Sequence, residues 1–288
     1  MQSLSDSDPA HDLKIRPEFR VVHDYTFFYD KVETSFKDVV RFIFPATGYL
    51  IFNLFFGDDF TLRFLNYDLS EGCPNHLYIT GLLSQGMLTT AQQGTGGGYA
   101  MKVHPVIGYH FLKVPMFELT DKQVKLSDIF GKEGKALRNL EANDSINAID
   151  HPGIKGFFSK YLPGKSVYLR DPIYHAVNKI INKKGIIHVR ELASEFCMCE
   201  RTLRRQFLLK VGLPPRAYAK IWQLHFAMEL LKNNPETKLP EIAFKAGYYD
   251  VAHLARDFRN KMFVPPSKFY RDINPMVQSY LDFPDSLR

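Results

Sequence analysis

The sequence predicts an α+β chain of two domains, a β-rich sandwich or barrel with trailing helices followed by an all-α unit. Three observations predict it. Short aromatic and β-branched runs separated by turn residues fill the first half. Helical 3–4 spacing takes over from Asp171. The second half then carries one helix–turn–helix pattern twice. The expected domains are 1–165 and 166–288.

With 288 residues, 45% of them hydrophobic and 24% charged, the chain can bury a core in each half. No run approaches the roughly 20 apolar residues of a membrane span. The longest, "YLIFNLFF" at 49–56, is interrupted by Asn53 and suits a buried strand. The opening "MQSLSDSDPAHDLKIRP" has neither the basic nor the apolar region of a secretory signal, so a cytoplasmic protein without membrane partners is expected. Three cysteines make no disulfide framework. Residues 1–164 hold 16 Lys+Arg against 19 Asp+Glu, a net of −3; residues 165–288 hold 21 against 12, a net of +9. A basic half beside a mildly acidic one implies a polyanionic partner for the second domain.

Taken in order, "FRVVHDY", "DVVRFIFPA", "YLIFNLFFGDDFTLRFLNYDL", "NHLYITGLLSQ" and "YAMKVHPVIGYHFLKVP" read as strands, with "GDD" and "EGCPN" as turns. After Thr120, "DKQVKLSDIFGKEGKALRNLEAN" and "DHPGIKGFFSKYL" read as short helices, and "LPGKSVYLRDP" (162–172) as a linker. Asp171 can cap the next helix, with Pro172 in its first position. Ile173, Ala176, Val177, Ile180 and Ile181 keep helical spacing until Gly185. A helix over 189–196, a tight turn and a helix over 200–211 follow, then a long helix over 214–234. "LPEIAFKAGYYDVAHLARDFRNKM" repeats the pattern about fifty residues on: Leu192-Ala193 matches Ile242-Ala243, and Leu203, Arg205 and Phe207 match Leu254, Arg256 and Phe258.

In a helix–turn–helix the second helix enters the DNA major groove. On residues 200–211, Leu203 and Phe207 share an inner face while Arg201, Arg204 and Arg205 project outward. Arginine's parallel donors match O6 and N7 of guanine and also clamp phosphate. A merely solvated charged face leaves the duplication unexplained. In the second copy the outer face is Ala252, Ala255, Arg256 and Arg259, with Val251 at its edge. Small apolar side chains can touch a thymine methyl but carry no donor code. The joining helix, about 19 residues at 1.5 Å each, spans about 28 Å, close to the 34 Å between successive major-groove faces.

These motifs resemble the DNA-binding domain of AraC/XylS-type bacterial transcription regulators over residues 171–272. The likeness is carried by "EIAFKAGYYDVAHLARDFRNKMFVPPSKFYR" with its close Pro266, Tyr270 and Arg271, and by "LASEF", "LRRQF" and "VGLPPRAY". The resemblance implies base-reading positions at Arg201, Arg204 and Arg205 in the first unit and Val251, Ala252 and Arg256 in the second. Thr202 and Arg259 are further expected DNA contacts, and Arg216, Lys220 and Lys268 expected phosphate contacts. "PATGYLIFNL" and "ELTDKQVKLSDIFG" resemble the cupin-like sensor domains of some members, which often bind a small effector or mediate dimerisation. Double-stranded DNA is therefore the expected partner, with RNA polymerase, a small-molecule effector and a second copy of the chain as further ones. No resident cofactor is expected.

Other constellations point elsewhere. His104 and His110 lack the spacing of a metal-binding cupin and read as structural or surface histidines. "GTGGG" (94–98) lacks the pattern of a phosphate loop and reads as a hairpin loop. Cys197 and Cys199 read as buried small residues, and Trp222 as core. Two rival classes remain open: an enzyme whose second half targets it to DNA, and an architectural protein that binds DNA without sequence preference.

Overall fold

The computed structural model describes residues 14–22, 25–57, 60–64, 70–72, 77–84, 88–137, 152–234, 236–262 and 265–269. Side chains within 14–44, 55–76 and 85–100, and those of Pro152 and Lys268, lie outside the described ones. Among the described residues eight antiparallel strands form one sheet: β1 (Lys14–Val22), β2 (Tyr25–Phe44), β3 (Leu50–Gly57), β4 (Phe60–Phe64), β5 (Ser70–Gly72), β6 (Leu77–Thr80), β7 (Leu88–Val103) and β8 (Gln123–Lys125). The order is β1-β2-β7-β3-β6-β8, with β4 paired to β7 and β5 to β4. The 16-residue β7 is the hub, taking β2, β3 and β4 as partners.

The strand period of two sorts the side chains. Leu50, Phe52 and Leu54 fall in one core with Leu77, Ile79, Met101 and Val103, covered by helices α1 (Pro105–Leu112), α2 (Leu126–Ala136) and α3 (Pro152–Tyr161). Ile51 faces the other way, into a second core. Four expectations change. "HPVIGYHFLK" is a helix, not strand: His104 caps it by accepting from Val106 N–H at 3.2 Å, and Pro105 sits in the first turn. Residues 123–125 pair with β6 instead of opening a helix. "GTGGG" is no hairpin loop, since Gly96–Gly98 lie mid-strand between Val32–Thr34 and Phe55–Gly57, where pairing on both sides overrides glycine's weak strand preference. The linker contains a helix, α4 (Lys165–Leu169), whose Tyr168 belongs to the first core.

The second half matches the periodicity closely. Its helices are α5 (Pro172–Asn182), α6 (Val189–Glu195), α7 (Glu200–Lys210), α8 (Pro215–Asn233), α9 (Leu239–Lys245), α10 (Val251–Met262) and α11 (Pro266–Phe269). Its first unit does not pack alone. Tyr49, Ile51, Leu82 and Val106 of the sheet half share one core with Ile173, Val177, Leu203, Phe207, Tyr218 and Trp222. The second unit has its own core of Ile242, Ala243, Leu254 and Phe258 against Leu224, Ala227 and Met228 of α8. The α8 helix therefore belongs to both units.

Candidate nucleic-acid interface

The first unit is built around its turn. α6 buries Leu192 and Ala193, and α7 answers with Leu203 and Phe207, both fully buried. Between them Cys197 adopts the left-handed region at φ 53°, the place that Gly247 fills at φ 71° in the second unit. That geometry puts Cys197 and Cys199 outside, contrary to the sequence reading. Cys199 stands at the N-cap of α7, its Sγ 3.2 Å from Thr202 Oγ1, and that hydrogen bond holds the thiol below its ordinary pKa. Thr202, expected to meet DNA, is half-buried and engaged there.

Arg201, Arg204 and Arg205 are exposed, as the wheel requires. A groove of about 1060 Å³ runs between α6, α7 and the start of α8. Arg190, Arg201, Arg204, Arg216 and Lys220 line it, with Glu200 as the acid among the lining residues. Such a cation-lined groove suits a phosphate backbone. Arg190 escaped the sequence reading, although its place in the first turn of the leading helix of the unit was a usable signal. Arg216 is exposed. Lys220 lines the groove yet turns partly inward: its Nζ lies 3.9 Å from Asp257 Oδ2 on α10 and 4.9 Å above the Tyr248 ring. Burial lowers its pKa, with Asp257 opposing. It braces the two units, which competes with the expected phosphate contact.

In the second unit Asp250 caps α10 by accepting from His253 N–H at 2.7 Å. Ala252, Arg256 and Arg259 are exposed and Val251 is half-buried against the core. The two units touch where Gln223 Nε2 donates to the carbonyls of Ala246 (2.9 Å) and Gly247 (2.8 Å). A side chain at Gly247 would meet Ile186 of the first unit.

The sheet half grips the first unit at several points. Asp171 caps α5 through Ile173 N–H at 2.9 Å, and its other oxygen faces Lys210 Nζ at 2.7 Å and His110 Nε2 at 3.0 Å. Burial alone would push this carboxyl up; the hydrogen bonds from Lys210, Ile173 N–H and His110 bring it net below its ordinary pKa. Thr120 Oγ1 donates to Gly212 O at 2.9 Å just beyond α7. Tyr218 OH donates to Gly48 O at 3.0 Å and His225 Nε2 to Ala46 O at 2.5 Å. The expectation of structural histidines holds for His104, which burial pushes to about 3 against the pull of Asp171. Among the described residues no group of three His, Cys, Asp or Glu could hold a metal, and no helix is long and apolar enough to cross a membrane.

Residues 192–272 match a family described as a helix-turn-helix domain. The chain is 26% identical over 99 residues to the HTH-type transcriptional regulator MtrA of Neisseria gonorrhoeae, covering 34% of this chain and 33% of the relative. It is 35% identical over 71 residues to the HTH-type transcriptional activator RhaS of Klebsiella pneumoniae strain 342, covering 25% of each. These matches thus span a third or less of the relatives' length. An apo ToxT variant from Vibrio cholerae shares the fold with a TM-score of 0.50 at 14% identity, over 86% of this chain and 98% of that one.

Proposed function

We propose that the chain is a bacterial transcription regulator of the AraC type that binds double-stranded DNA sequence-specifically through the helix-turn-helix domain matched over residues 192–272. The duplicated unit with Arg201, Arg204 and Arg205 turned to solvent carries this reading. In it, Arg190 and Arg216 hold the backbone and position the domain, while the three arginines of α7 choose bases. Residues 166–288 supply the DNA contact and 1–165 the regulatory half. No catalysis is assigned; the relatives are named as a transcriptional regulator and an activator.

The sheet half acts through its grip on the first unit. An effector, a second copy of the chain or RNA polymerase can alter DNA binding only by favouring one arrangement over another. Thr120–Gly212 joins the sheet half to the residue beyond α7, and His110 reaches Lys210 of α7 through Asp171, so a shift there displaces the reading helix directly.

The test is anisotropy of labelled duplexes with the full chain and with the variant in which Arg201, Arg204 and Arg205 are all alanine. Preference for a selected duplex over a scrambled one should disappear in the variant, while weak salt-sensitive binding through the groove persists. An unchanged preference overturns the reading; equal affinity for both duplexes in the unmodified chain favours an architectural binder.

A further inference from the structure

The two reading helices offer opposite chemistries in the same geometry. Superposing the repeat on Leu203/Leu254 and Phe207/Phe258 puts Ala252 in the place of Arg201, Ala255 in that of Arg204 and Arg256 in that of Arg205. The second turn is also one residue longer, and the extra place falls beside Tyr249, 94% exposed. Its neighbour Tyr248 is buried and donates through its hydroxyl to Asp257 at 3.1 Å. Asp250, on the other side, caps α10. The backbone is thus pinned on both sides of Tyr249, which holds that ring out in solvent at the entry to the reading helix.

An apolar face flanked by cations has one complement on base edges in the major groove: the C5-methyl group of thymine, all other features there being donors and acceptors. Arg256 and Arg259, both exposed, supply the charge that brings this face to DNA. We infer that the second unit recognises thymine methyl groups through Tyr249 and Ala252, so that the chain reads one half-site by arginine hydrogen bonds and the other by apolar contact. This rests on the proposed DNA-reading function and assigns the second unit's ligand chemistry within it.

Uracil in place of thymine removes the methyl and leaves the pairing and groove acceptors intact. The experiment takes the selected duplex and replaces thymines in each half-site in turn, using the full chain. Uracil in the half-site whose preference Arg205→Ala leaves unchanged should weaken binding about fourfold per contacted methyl, the equivalent of about 0.8 kcal/mol. Uracil in the other half should change affinity less than twofold. Tyr249→Ala should weaken binding to the thymine duplex but add nothing once uracil is present, with the unfolding midpoint unmoved because the ring is exposed. Equal affinity for thymine and uracil in both halves, or a selected site without thymine in the second half, overturns the inference alone. Failure to prefer any duplex over scrambled DNA overturns the DNA-reading function, and this inference with it.

Discussion

Asp171→Ala tests the junction between the two halves. The carboxylate is 4% exposed and has three partners: Ile173 N–H at 2.9 Å, Lys210 Nζ at 2.7 Å and His110 Nε2 at 3.0 Å. Losing the cap of α5 costs about 1 kcal/mol. Lys210, with a side chain 17% exposed, is then left with its charge unmatched. Breaking a buried pair from one side costs about 3–5 kcal/mol, and Lys210's partial exposure puts it at the lower end. The total is about 4 kcal/mol, a large share of the 5–15 kcal/mol that holds a typical domain. Lys210→Met alone should also destabilise, and the double variant should show a coupling of about 1–3 kcal/mol. Urea unfolding followed by fluorescence suits the question, because Trp222 is the single tryptophan and packs edge-on against Tyr49 across this junction. A loss below about 1 kcal/mol in Asp171→Ala, or no coupling with Lys210, would refute the buried pair, and no coupling between Asp171 and His110 would refute its tie to the sheet half.

Three further outcomes are expected. Arg205→Ala should cost about 1–3 kcal/mol of DNA affinity and relax one base preference, read by selection with the variant; an unchanged selected site contradicts the role. Arg216→Ala should lower the slope of log affinity against log salt by about one unit, whereas Lys220→Met should move that slope less and stability more, since Lys220 already faces Asp257. Burial lowers His104 to about 3 and His225 to about 4, so between about pH 4 and 6.5 the unfolded chain binds more protons than the folded one. Stability is then complete above about 6.5 and falls as pH drops toward 4; a urea midpoint constant over that range contradicts it, and His225→Gln should flatten the profile.

The helices from Pro172 to Met262 were legible almost to the residue because their signals are local. Asp171-Pro172 marks a start, Gly185 an end, and the repeat supplies each assignment twice. The outward arginines followed from the same periodicity. The β-rich half was legible in texture but not in order, since the pairing of β7 with β2, β3 and β4 depends on contacts far apart in sequence. Residues 105–112 misled because Val106, Ile107, Tyr109 and Phe111 favour strands, and tertiary packing with a cap at His104 overrides that preference. Cys197 misled because small apolar residues are usually buried, whereas here the turn needs a left-handed residue. The sharing of one core by Tyr49, Ile51 and Val106 with α5, α7 and α8 has no sequence signature at all.

Selection of random duplexes by the purified full chain, then titration of the winner against scrambled DNA at two salt concentrations, tests the two-unit reading most directly. The spacing of α7 and α10 along α8 predicts two half-motifs about one helical turn apart, roughly 10 base pairs, and a specificity ratio of at least about 10³. No enriched motif, with binding that vanishes as salt rises, would contradict it and leave the arginines of α7 as grips on phosphate alone.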